Sequence, residues 1–108
     1  MALSNGQKKY LRGLGHVLNP IMQIGKEGIT DAFVAQLSQA LLNHELVKVK
    51  ILQNAPITKE EASEVFSKAK YATLVQRIGK TFLLYSPHPE EPGIQLPRPR
   101  KARSGPAS

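Results

Sequence analysis

Apolar residues recur along this 108-residue chain at two spacings, and the switches between them divide it into seven elements. Between residues 4 and 17, Tyr10, Leu11, Leu14, Val17 and Leu18 gather on one side at helical spacing. Lys8, Lys9, Arg12 and His16 lie opposite, so the pattern predicts an amphipathic first helix. Gly13 and Gly15 weaken that helix and favour an early end. A short strand, Ile21-Met22-Gln23-Ile24, then runs into Gly25-Lys26-Glu27-Gly28. Thr30 caps a second helix over residues 31–43, with Phe33, Leu37, Ala40 and Leu41 on its buried side. His44 falls where the carbonyls of this helix run out, and a histidine there more often balances the dipole than does chemistry.

Period two takes over from Leu46 to Leu52, with Val47, Val49 and Ile51 facing one way and Lys48 and Lys50 the other. Thr58-Lys59-Glu60-Glu61 is a capping box that opens a third helix. Ile57 is placed to staple onto Ala62, and Ala62, Val65, Phe66 and Ala69 form the buried stripe. A hairpin follows, residues 72–78 returning through Gly79-Lys80 into Thr81-Phe82-Leu83-Leu84-Tyr85, with Gly79 supplying the positive φ of the turn. Its second strand is apolar on both faces, which predicts an interior position in the sheet. Helices of crossover length between strands imply right-handed βαβ units, and the hairpin makes the sheet mixed. The expected fold is a compact two-layer α/β sandwich in the order α-β-α-β-α-β-β with a mixed four-stranded sheet.

Charge changes this picture more than composition does. Fifteen Lys and Arg against eight Asp and Glu give +7 and a pI near 9.9, so polyanions are the expected partners, nucleic acid first. Residues 1–96 hold eleven basic and eight acidic side chains, a balance of +3, while residues 97–108 hold Arg98, Arg100, Lys101 and Arg103 and no acid. One domain over residues 1–96 and a disordered basic tail over 97–108 are therefore expected, the tail acting either as a cationic arm or as a solubilising segment. The absence of cysteine removes disulfides, thiolate zinc sites and thiol nucleophiles. No stretch approaches the ~20 apolar residues of a membrane span, and the first residues lack the features of a secretory signal. The expectation is a soluble cytoplasmic protein, monomeric when free, with no membrane partner.

Candidate chemistry concentrates at residues 25–28. Two glycines flanking a lysine between strand and helix can form a backbone clamp for phosphate, beside the N–H groups and dipole of the next helix. Turn chemistry alone also accounts for them, and Glu27 carries the wrong sign for a phosphate site. Further candidates are Lys8, Lys9 and Arg12, on a helix face with no acid, and Lys48, Lys50, Arg77 and Lys80 on or near the sheet. Glu60, Glu61, Glu64, Lys68 and Lys70 follow the dipole of the third helix and need no further role. The histidines at 16, 44 and 88 lack partners at catalytic or metal-ligand spacing, so neither an enzyme nor a metal or other cofactor is indicated.

Four segments together resemble a known family. Gln7-Lys8-Lys9-Tyr10-Leu11-Arg12-Gly13-Leu14, then Pro20 before Ile24-Gly25-Lys26-Glu27-Gly28-Ile29-Thr30, then His44-Glu45-Leu46-Val47-Lys48-Val49-Lys50, then Ile78-Gly79-Lys80-Thr81-Phe82-Leu83-Leu84-Tyr85, are similar in order and spacing to the CRM domain in its stand-alone bacterial YhbY form. The resemblance covers about residues 3–85. It implies an RNA-binding domain related in fold to the C-terminal domain of translation initiation factor three, acting on precursors of the large ribosomal subunit, with plant relatives in group II intron splicing. By the same resemblance residues 25–28 are a GxxG-type RNA loop, similar in use to the loop with which KH domains clamp a nucleotide backbone. One departure is that Ser86-Pro87 follows Tyr85 where the family commonly has an arginine. The alternatives are an adaptor docking to ribosomal proteins, and a splicing or chaperone factor for other structured RNA. Tyr10, Phe33, Phe66 and Phe82 are expected to be buried, which would favour recognition of backbone and shape over sequence.

Overall fold

The expected order of elements is realised in the computed structural model, which describes residues 3–97. The elements are α1 (Asn5–Gly15), β1 (Met22–Ile24), α2 (Asp31–His44), β2 (Leu46–Ile51), α3 (Lys59–Ser67), β3 (Thr73–Ile78) and β4 (Thr81–Tyr85). The sheet runs β1-β2-β4-β3, with β1 parallel to β2 and the other two pairings antiparallel. The doubly apolar β4 thus lies inside the sheet, as its pattern required. Gly79 turns the hairpin at φ +58°. No helix among the described residues is long and apolar enough to cross a membrane.

Each helix starts where its local chemistry places it. Ser4 and Gln7 close a capping box on α1, Thr58 and Glu61 close another on α3, and the Thr30 hydroxyl accepts from the Phe33 N–H at 3.0 Å. The glycines end α1 at Gly15, two residues short of the expected boundary.

The main core lies between one sheet face and the pair α2 and α3. Phe33, Leu37 and Leu41 from α2, Ala62 and Phe66 from α3, and Val47, Val49, Ile51, Phe82 and Leu84 from the sheet interlock there. Phe66 meets Phe82 edge to face, with ring centroids 5.2 Å apart. Val65, expected in the stripe, is 44% exposed. This is the two-layer arrangement, and α1 adds a partial third layer on the opposite face over Leu46, Val75, Leu83 and Tyr85.

Only Leu11 and Gly15 of α1 are buried. A Cβ on Gly15 would stand 2.7 Å from a methyl of Leu83, so glycine is what lets the helix end lie on the sheet. The other apolar residues read as its buried side are not: Tyr10 is 41% and Val17 80% exposed, and Leu14 and Leu18 sit at the flank. Because the helix stops at Gly15, Val17 and Leu18 leave its periodicity, and the Leu18 N–H donates to the Gly15 carbonyl in a turn.

The second face is completed by residues 86–97, whose Ile94 and Leu96 pack on the smaller core. Glu45 holds this strap. It terminates α2 at φ +64°, and its buried carboxylate accepts from the backbone N–H groups of His88 (2.6 Å), Gly93 (2.8 Å) and Ile94 (2.8 Å). The Gln7 side chain donates to the Pro97 carbonyl at the far end. The strap is described as far as Pro97, and most of the tail expected over 97–108 lies outside the described residues.

Candidate nucleic-acid interface

Register decides which cations share a surface. On the α1 face, Lys48 stands beside Leu83, which in turn faces Gln76; one rung along, Lys50 stands beside Thr81, which faces Ile78. The first rung lies under the end of α1, where Lys9, Arg12 and His16 join Lys48 around an open groove of about 580 Å³ floored by Gln76 and Thr81. No acid lines it. The second rung leads to the end of the sheet where β1, β2 and the hairpin turn meet. There Lys50, Lys80 and the loop after Ile24 follow one another, tied by the Ile51 N–H donating to the Lys80 carbonyl and the Leu52 N–H to that of Ile24.

Residues 25–28 form a tight turn in which the Gly28 N–H donates to the Gly25 carbonyl at 3.0 Å. Lys26 and Glu27 at its tip are exposed. The Thr30 hydroxyl and Asp31 occupy the start of α2, so the first turn of that helix already has an acceptor and an anion. A ligand would therefore meet the tip of the turn and the Lys26 ammonium. The two glycines are not equivalent. Gly28 sits at φ +73° with Pro56 3.3 Å from where a Cβ would be, whereas Gly25 has open space and no positive φ. Gly28→Ala is expected to cost about 1–2 kcal/mol of stability and Gly25→Ala within about 0.5. Urea unfolding of the two variants measures this, and equal costs would refute the distinction.

Two of the expected contacts fall elsewhere. Arg77 pairs with Phe82, which places it on the α2 and α3 side of the sheet, and its guanidinium is 3.8 Å from Glu60. Lys8 opens on a separate cleft of about 540 Å³ between α1 and the α3–β3 connection, shared with Lys70, Thr73 and Ser86. The dipole reading of Lys68 and Lys70 holds for one of them. Lys68 is the C-cap of α3 and pairs with Glu64 at 2.9 Å, but Lys70 lies past the helix end.

Sequence reasoning missed Glu45 and the exposure of Tyr10. Burial by itself would push the Glu45 carboxyl up, but the N–H groups of His88, Ile94 and Gly93, with the nearby His88 ring, outweigh it and hold the pKa below the ordinary 4.5. Burial, then the charge of Glu45, pushes the Tyr85 phenol up, and burial does the same for Tyr71. The sequence signal for Glu45 was slight: an acid directly between a helix end and an apolar strand. Among the described residues no group of three His, Asp or Glu could hold a metal ion.

The family model described as the CRS1 / YhbY (CRM) domain matches residues 3–86. The chain belongs to this family. The match spans the CRM domain from the start of the α1 cap to the end of β4 and stops where the strap begins. The chain is 41% identical over 95 residues to the probable RNA-binding protein YqeI of Bacillus subtilis, covering 88% of this chain and 99% of that one. It is 42% identical over 96 residues to an RNA-binding protein of Haemophilus influenzae, covering 89% and 96%. The solution structure of a hypothetical protein from Staphylococcus aureus superposes with a TM-score of 0.69 at 43% identity, over 88% of this chain and all of that one. These CRM relatives extend the likeness beyond β4, since the aligned 88% of the chain is longer than the domain match.

Proposed function

We propose that this CRM domain binds RNA as a non-enzymatic factor in the cytoplasm, assisting assembly of the large ribosomal subunit on its precursor RNA. The observation that carries the RNA reading is the acid-free groove of Lys9, Arg12, His16 and Lys48, whose lysine side continues by register through Lys50 to Lys80 and the loop of Lys26. Cations gathered in a groove without acids neutralise phosphates, and release of counterions then drives association, while Glu27 stands beside Lys26 at the loop end of the surface. The relatives named as RNA-binding proteins support this reading. The ribosomal target rests on the family resemblance, and sedimenting a lysate to find which ribosomal particle carries the protein tests it.

In this reading Lys26 contacts a phosphate while the turn presents it. Lys26→Ala is expected to weaken binding of unrelated RNAs alike and to lower the salt slope by about one contact, with stability unchanged. Titrations of one structured RNA at several salt concentrations give that slope, and an unaltered slope would return the loop to a plain turn. Association that hardly responds to salt would instead favour docking to ribosomal proteins through apolar surface. The arginines and lysine of residues 98–103 would add attraction without discrimination.

A further inference from the structure

A second groove, of about 310 Å³, opens on the other side of α1. Its walls are apolar: Leu14 from the end of α1, Leu18 from the turn after it, Ile21 from the approach to β1, and Ile94 from the strap. Ile21 is 54% exposed, so the fold leaves this surface uncovered. Asn19 and His44 also line it, and neither side chain has a hydrogen-bond partner among the described residues. Lys48 lines this groove and the cationic one alike, and residues at and just past the end of α1 border both.

We propose that this groove takes one unstacked base of the RNA strand whose phosphates lie on Lys9, Arg12 and Lys48, an inference that rests on the RNA-binding reading above. A strand passing the end of α1 exposes its backbone to one groove and can turn a base into the other, with Lys48 beneath the turn. The volume lies at the low end of the ~300–1,000 Å³ typical of small-molecule sites, which suits a single flat heterocycle. Aliphatic walls press on both faces of a base where stacking aromatics are few, and the free amide of Asn19 and ring nitrogens of His44 can meet its polar edge. Among the described residues no acid lines either groove, which favours an anionic strand over an apolar peptide as occupant.

The test compares a single-stranded oligouridine of about ten nucleotides with the same backbone carrying abasic spacers at its central positions, both titrated against the full chain. Wild type is expected to prefer the intact oligomer by about five- to tenfold. Leu18→Ser combined with Ile21→Ser, both at exposed positions, is expected to abolish that preference while polyphosphate affinity, salt slope and thermal midpoint stay as in wild type. Equal binding of the two oligomers by wild type would overturn the base site and leave the phosphate surface standing. So would a variant that keeps the preference, or one that loses affinity equally for both oligomers and polyphosphate. Wild type binding neither oligomer would overturn the RNA reading itself and the base site with it.

Discussion

Reversing Lys9 and Arg12 to glutamate together is expected to lower RNA affinity about a hundredfold at moderate salt, because two phosphate contacts become two repulsions in a groove that holds no compensating acid. The matched control is Lys59→Glu with Lys68→Glu, which changes net charge equally but lies on α3, across the sheet. Lys70 is unsuitable for that control, since it shares a cleft with Lys8. The control should lose no more than about fivefold, through long-range attraction alone. Binding curves for both double variants at two salt concentrations decide the matter. Equal losses would mean that only net charge counts, and the groove would be no interface.

The largest effect on stability is expected at Glu45. Glu45→Ala removes a carboxylate that accepts three backbone N–H groups and leaves the strap held by Ile94, Leu96 and Gln7, so a loss of about 2–4 kcal/mol is expected. Glu45→Gly removes the same carboxylate but accommodates φ +64° without a Cβ, and should recover about 1 kcal/mol of the loss. Urea titration of both variants separates carboxylate from backbone strain; if alanine were harmless, the strap would hold without its anchor. Because the folded pKa lies below the ordinary 4.5, the stabilisation is fully present above about that pH. It is lost as pH falls through the depressed folded value. The acid limb of the stability profile should therefore flatten in Glu45→Ala.

The fold was legible because local signals and periodicity agree in most elements: the capping box of α3, the alternation of β2 and the doubly apolar β4 each allow one structural answer. The failures have identifiable causes. Simple alternation from Thr73 puts Arg77 on the α1 face, but the pairing slips between Leu74 and Gln76, so that Val75 is an extra residue and Arg77 emerges on the side of Glu60. The side of α1 was misread because its periodic pattern outlasts the helix, which the glycines stop. Tyr10, within the helix, is nevertheless 41% exposed, because Leu11 and Gly15 are what α1 turns to the sheet. The strap was invisible because residues 86–97 carry no periodicity, only two apolar side chains and backbone amides whose acceptor lies more than forty residues away in sequence. Within the site, the pairing of Lys9 and Arg12 with Lys48 needed register and helix placement that the sequence does not state, whereas the candidate status of each cation followed from charge alone.

The shortness of β1 bears on how the loop of Lys26 can behave. This strand sits at the margin of the sheet, three residues long, with a ladder on one side only. Elements with so few attachments open at far lower free energy than the body of a domain. The end of the candidate surface nearest Lys26 therefore rides on the part of the sheet that deforms most readily, while Lys48 is fixed between two neighbouring strands. Such a pairing of a firm seat with a compliant tip lets one domain settle on RNA backbones of differing curvature without disturbing its core.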